Sequence, residues 1–287
     1  MRALAALTSL LLSTALLLVG HGMQLTLLPL RATSVGLSDF QIGLSASAYF
    51  AGFVAGCLAN PRIIARVGHI RSFAVLASLM ICALLVVGIS NHWLIWVVAR
   101  FVIGVMICGL YTVIESWLND HATSESRGQI LSVYTFLVLS SMAAGQLLLN
   151  VSSIEAAVPF VLAAIFMSLS IVPVGLTRSL APAPIEATRV GFKVLYQRSR
   201  PAFAGAMLSG LVVGSFWALG AVFANRTSAS VADVTFFITT AIIGGALLQY
   251  PIGWLSDRVD RALVLVALCV LGAVASVAVA LSTGHPL

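Results

Sequence analysis

The sequence predicts an all-α membrane protein that crosses the bilayer about nine times. Three observations carry this. Of 287 residues, 60% are hydrophobic and 8% charged, and the mean hydropathy is +1.09; a soluble domain is typically about 45–50% apolar and about 25% charged. The apolar residues gather in runs of about 20, the length that crosses about 30 Å of hydrocarbon. The charges fall almost wholly between those runs. Backbone N–H and C=O groups find no partner in lipid, so each run must be a helix.

Taken in order, the runs are residues 5–28, 41–60, 73–90, 93–118, 130–150, 157–176, 202–224, 234–250 and 262–281. The first follows Arg2 and has the look of a signal peptide. It is longer than an ordinary signal core and no small-residue cleavage site follows it, so it reads as a retained helix. The connections are short except for residues 177–201, which hold Pro182, Pro184 and several basic residues. That basic segment divides six helices (1–176) from three (202–287). If the second group matches the first, three further helices are expected after Leu287, and the chain reads as a truncated twelve-helix protein. Within 189–200, apolar and basic residues alternate in a way that suits a helix lying on anionic headgroups.

Arginine placement sets the expected orientation. With the N-terminus in the cytoplasm, Arg2, Arg62, Arg66, Arg71, Arg127, Arg178, Arg189, Lys193, Arg198, Arg200, Arg258 and Arg261 all lie inside, and only Arg31 and Arg226 lie outside. This asymmetry accounts for the net charge of +6 and the pI near 9.6. The basic residues form no continuous patch, so nucleic acid is not an expected partner. Cys57, Cys82, Cys108 and Cys269 sit inside apolar runs without CxxC or zinc spacing, and read as small apolar packers. No phosphate-binding loop, HExxH or GxSxG appears. Neither an enzyme nor a bound metal or cofactor is expected.

Polar groups inside the runs are the candidates for function. Arg100 lies about 10 Å into the fourth helix at 1.5 Å per residue, where an arginine is costly and must face a cavity or a bonded partner. His21, between Gly20 and Gly22 with Gln24 following, is a side chain that can titrate near neutral pH. His21, Gln24, Arg100, Gln146 and Trp217 are the expected lining of a substrate or proton pathway. Glu115 lies about 22 Å beyond Arg100 along the same helix. It is expected near the cytoplasmic end, within reach of Arg66 or Arg71. Gly52-x-x-x-Gly56 and Gly210-x-x-x-Gly214 are expected to allow close helix packing.

Two cytoplasmic turns repeat one pattern. The turn after the second helix reads Pro61-Arg-Ile-Ile-Ala65-Arg66-Val-Gly68-His-Ile-Arg71, and the turn after the eighth reads Gly253-Trp-Leu-Ser-Asp257-Arg258-Val-Asp260-Arg261. Repeated helical groups with matching turns mark one transporter architecture. Here the sequence resembles the major facilitator superfamily, whose second-to-third-helix turn is Gly-x-x-x-Asp-Arg-x-Gly-Arg-Arg. Gly253, Asp257, Arg258 and Arg261 match it in the later turn. Arg66, Gly68 and Arg71 match in the earlier one, where Pro61 and Ala65 depart from it. Arg100-Phe-Val-Ile-Gly104 resembles the family's Arg-x-x-x-Gly motif. Tyr111-Thr-Val-Ile-Glu115-Ser-Trp-Leu-Asn-Asp120 is similar to a bacterial branch called YcaD-like.

The resemblance implies a two-bundle fold in a bacterial inner membrane. It implies a secondary active transporter of a small molecule, working by alternating access as a monomer among membrane lipids. Proton coupling is part of the same expectation. Arg66, Gly68, Arg71, Glu115, Gly253, Asp257, Arg258 and Arg261 are then expected to form a cytoplasmic gate. The rival readings are a receptor or sensor that kept the fold without transport, and a nonfunctional fragment.

Overall fold

A computed structural model describes residues 2–122, 127–177, 192–227 and 230–282. The linker residues Arg178, Pro182, Pro184 and Arg189, and the segment 283–287, lie outside the described residues. Among the described residues all regular structure is helical. The elements are α1 (Arg2–Ser34), α2 (Asp39–Val67), α3 (His69–Ile89), α4 (Trp93–His121), α5 (Arg127–Leu148, continued by a 3₁₀ turn, Leu149–Val151) and α6 (Val158–Leu169). They continue as α7 (Ile171–Gly175), α8 (Phe192–Arg198), α9 (Arg200–Thr227), α10 (Val231–Ser256) and α11 (Arg261–Ser282). Nine stretches among them are long and apolar enough to cross a membrane.

The run 157–176 is one membrane-crossing stretch, Val158–Gly175, made of two helical segments, α6 and α7. They part at Ser170. Pro173 explains the break: it has no N–H to give, and its ring crowds the carbonyl four residues back. Other boundaries follow from local chemistry. Ser38 and Gln41 form a reciprocal capping box at the start of α2, with Ser38 N donating to Gln41 Oε1 at 2.9 Å. Ser230 caps α10 by accepting from the Asp233 amide at 3.2 Å. Gly68 alone joins α2 to α3, at φ +90°. That left-handed value belongs to glycine, which gives the turn motif its physical reason.

α1 lies inside the helix group, packed on α5 and α6, while α2 packs on α4 and α3 on α4 and α6. The α2–α4 contact is a backbone contact. A Cβ on Gly52 would strike the Phe101 carbonyl, one on Gly56 would sit 2.8 Å from the Val105 carbonyl, and one on Gly104 would strike the Tyr49 carbonyl. The first small-residue motif is therefore a packing seam. The second differs from its expectation: nothing lies near Gly210, and Gly214 meets only the Phe50 ring at ordinary distance. The other faces carry exposed Val54, Leu58, Val75, Leu79, Phe136 and Leu169. Apolar surface on this scale needs lipid as its solvent.

α9 and α10 reach the earlier helices through α1, α2 and α5, and α11 packs on α10. Their buried residues crowd toward one end: Ala221, Val222 and Ala224 late in α9, and Val234, Thr235, Ile238, Thr239 and Ile242 early in α10. Leu30, near the end of α1, packs with Ala221, Ala224 and Val234. The two helix groups thus meet at the end where α1 and α9 finish and α2 and α10 begin.

Candidate functional site

The interior cluster is assembled by glycines. Gly20 and Gly22 flank His21 and hold α1 close to its neighbours: an added Cβ would come within 2.6 Å of the Ala163 carbonyl in α6 and 2.7 Å of the Met142 carbonyl in α5. Pinned on both sides, α1 keeps His21 and Gln24 on one buried face. Gln24 Nε2 lies 2.7 Å from His21 Nδ1. An amide nitrogen can only donate, so Nδ1 accepts, and in the neutral ring the proton sits on Nε2. Nε2 then donates toward the Tyr49 hydroxyl of α2 at 3.4 Å. The His21 and Tyr49 rings stack with centroids 6.4 Å apart.

Arg100 completes the group. Its guanidinium carbon lies 4.6 Å from the Tyr49 ring centroid, a cation–π contact. The Arg-x-x-x-Gly spacing now has a local reason. Gly104 lets the Tyr49 backbone touch α4, and Arg100, one turn earlier, falls over the ring of that same tyrosine. The α2–α4 seam is tied further along by Asn60 Nδ2 donating to the Val105 carbonyl at 2.8 Å. Nearby, the free thiols Cys57 and Cys108 stand 3.2 Å apart.

His21, Gln24 and Arg100 therefore form one contiguous group, with Tyr49 as the hub that the sequence reading missed. Gln146 is adjacent: buried in α5, it donates through Nε2 to the Gly22 carbonyl at 2.8 Å. Trp217 is not in this cluster; it packs edge-on against Phe216 at 5.4 Å in α9. Of the five expected lining residues, Arg100 borders an internal space, shared with Ser45, Trp96 and Ala218 among others. A larger crevice of about 420 Å³ opens between α2 and α9, lined by Phe50, Leu211 and Leu219 with Ser47 and Ser215. Ala46 and Ala218 wall both spaces.

At the end where the helix groups meet, two polar links cross between them. Arg226 at the end of α9 pairs with Asp39 at the start of α2. Asn150 donates to Thr235 Oγ1 at 3.0 Å, joining the 3₁₀ turn after α5 to α10. Neither link is legible from sequence, because each joins residues far apart in the chain.

The expected gate residues lie at the opposite end. Arg66 and Arg71 flank the Gly68 turn and are exposed. Asp257 and Arg261 stand 3.9 Å apart, and Arg258 lies over the Trp254 ring at 3.9 Å. Gly253 sits in the last turn of α10, its carbonyl accepting from the Asp257 amide at 3.1 Å. No ion pair or hydrogen bond joins the two turns among the described residues. Glu115 also differs from its expectation: its side-chain partner is Tyr134 of α5, not Arg66 or Arg71. The α3–α4 end is instead held by His69, whose Nε2 lies 2.8 Å from Ser116 Oγ and whose ring meets Trp117 edge-on.

A polytopic helical protein with a buried polar cluster between packed spans has the form of a membrane carrier, and comparison with known proteins gives the family. The Major Facilitator Superfamily model matches residues 10–286. The chain is 31% identical over 257 residues to the MFS-type transporter YcaD of Escherichia coli, which covers 87% of this chain and 67% of the relative. The chain belongs to the Major Facilitator Superfamily. Among solved structures it is similar to the nucleoside transporter NupG (TM-score 0.74, 13% identity, 88% of this chain and 68% of that one). It is also similar to a bacterial homologue of the lysosomal transporter Spinster in an inward-facing, unoccupied conformation (TM-score 0.64, 15% identity, 91% and 64%). At these identities the structural likeness speaks for the fold. The chain spans about two thirds of the length of these proteins.

Proposed function

We propose that the chain is part of a secondary active transporter that moves a small molecule across the bacterial inner membrane by alternating access. Residues 1–176 are read as the first bundle, 177–201 as a cytoplasmic linker and 202–287 as the start of the second bundle. The N-terminus lies in the cytoplasm on the arginine asymmetry. The observation that carries the reading is the buried His21–Gln24–Tyr49–Arg100 cluster, placed inside a fold whose two helix groups touch at one end. With this orientation, Asp39–Arg226 and Asn150–Thr235 are an outer gate, drawn closed. Arg66, Gly68, Arg71, Glu115, Gly253, Asp257, Arg258 and Arg261 form the inner face that closes when the outer one opens.

His21 is the proposed proton site. It is buried, and its two ring nitrogens already address Gln24 and Tyr49, so a proton gained or lost there is felt along the cluster. The test is proteoliposomes screened for counterflow of nucleosides, sugars, amino acids and small carboxylates. At least one solute should exchange, and Arg100→Ala should reduce exchange at least tenfold. His21→Gln should keep counterflow while losing accumulation driven by a pH gradient. Accumulation that survives His21→Gln removes the proton assignment, and failure of every solute to exchange removes the carrier reading.

The outer gate predicts a smaller effect. Exposed pairs are worth about 0–1 kcal/mol, so Asp39→Arg should shift the balance toward outward opening by no more than roughly fivefold. Adding Arg226→Asp should restore it. Spin-label distances between the ends of α2 and α9 measure this, and a reversed pair that behaves like the single variant would show that the pairing has no part in closure.

A further inference from the structure

We propose that the Arg100 site takes the carboxylate of a small organic monoanion whose apolar body lies in the crevice between α2 and α9. The proposal rests on the carrier reading for its meaning and names the substrate class.

Arg100 is 3% exposed and sits within a membrane-spanning helix. Its Nη1 has no hydrogen-bond partner, and the residue borders the internal space beside Ser45 and Trp96. No carboxylate pairs with it among the described residues; the acidic groups described lie at helix ends or turns, apart from Glu115, which partners Tyr134. The Tyr49 ring supplies a partial counter-charge but accepts no hydrogen bond from a guanidinium fork as a carboxylate does. A guanidinium held in a membrane interior without an anion is costly. The chemistry that completes this one is an oxyanion arriving from outside the chain.

Charge and shape narrow the class. One guanidinium balances one negative charge, whereas a phosphate dianion would bring an unmatched charge into the low-dielectric interior. The space at Arg100 is about 10 Å³ in this conformation, room for about one water. Only a head group of few atoms can be admitted there after a small opening. Behind it, through Ala46 and Ala218, lies the crevice of about 420 Å³ walled by Phe50, Leu211 and Leu219. A cationic point at the inner end and an apolar trough behind it match an acid with an aromatic or short aliphatic body.

The experiment is equilibrium binding to the purified chain in detergent, read by thermal stability and by tryptophan fluorescence, since Trp96 borders the site. The probes are benzoate, phenylacetate, hexanoate and lactate, each beside its neutral amide, with phosphate and chloride as inorganic anions. At least one acid should give a saturable stabilisation that its amide does not. Arg100→Gln should abolish it, and Arg100→Lys should weaken it at least tenfold while retaining the acid–amide contrast. The proposal is overturned if no acid exceeds its amide, if only phosphate or chloride saturates, or if Arg100→Gln binds the acid with wild-type affinity. Should Arg100→Gln fail to fold, the acid–amide contrast in the wild type and in Arg100→Lys decides. Acid binding without counterflow leaves the anion site standing and removes the carrier reading; counterflow of a neutral solute untouched by Arg100→Gln does the reverse.

Discussion

Gly104→Val is expected to eliminate folded, detergent-extractable protein, and Gly210→Val to leave its yield and melting temperature unchanged. Both glycines lie in membrane-spanning helices, Gly104 closing the Arg100-x-x-x-Gly104 motif of α4 and Gly210 opening the Gly-x-x-x-Gly motif of α9. Their surroundings differ completely. At Gly104 an added Cβ strikes the Tyr49 carbonyl and comes within 2.9 Å of the Phe53 amide nitrogen. These are backbone atoms of α2 and cannot rotate away. Relief requires α2 and α4 to separate along a seam that Gly52 and Gly56 close from the other side and that Asn60 ties to Val105. Overpacking a tight site costs about 1–3 kcal/mol when side chains can yield, and more when they cannot. Separation would also lift Tyr49 from Arg100, so residual folded protein should lose the cation–π contact. At Gly210 nothing lies within 4 Å of the same atom. Fluorescence-detected size-exclusion profiles of the two variants test the contrast directly. A monodisperse, wild-type-like peak for Gly104→Val would mean that α2 and α4 do not touch through their backbones.

The seam also shows how far the sequence could be read. Span number and positions were legible because lipid imposes a length and a composition on every crossing, and local patterning reports both. Gly68 was legible as a turn residue because a tight connection favours glycine, but the sequence draws that connection over 61–71 and the structure closes it to Gly68 alone. Arg100 was legible as buried because its depth follows from counting residues along one helix. Tyr49 was not legible. A tyrosine in an apolar run is ordinarily core, and only the approach of α1, α2 and α4 turns it into the link between His21 and Arg100. Glu115 was assigned to arginines by nearness along the membrane normal. Rotation about the α4 axis decides the partner, and it points Glu115 at Tyr134. Of the two small-residue motifs, Gly52-x-x-x-Gly56 packs as expected and Gly210-x-x-x-Gly214 does not, for the same reason: spacing names a face, and only the fold says whether a neighbour covers it.

Cross-linking Asn150→Cys to Thr235→Cys is expected to stop transport completely and reversibly. The native side chains are 3.0 Å apart, so thiols at these positions fall within reach of a short bifunctional thiol reagent. The four native cysteines must first be replaced, because Cys57 and Cys108 are themselves close and free. Alternating access requires the two helix groups to separate at this end, and the hydrogen bond that joins them there is weak enough, about 1 kcal/mol net, to break in each cycle. A covalent bridge is not. Ser45, buried beside Arg100, supplies a readout that needs no substrate. A Ser45→Cys thiol should react with an impermeant maleimide applied from the Asp39 side only while that end can open. Bridging should bring the labelling rate to background, and reduction of a cleavable bridge should restore it. If labelling and flux are the same before and after bridging, the contact between α5 and α10 is a fixed joint, and the site at Arg100 must be reached without the two helix groups parting at this end.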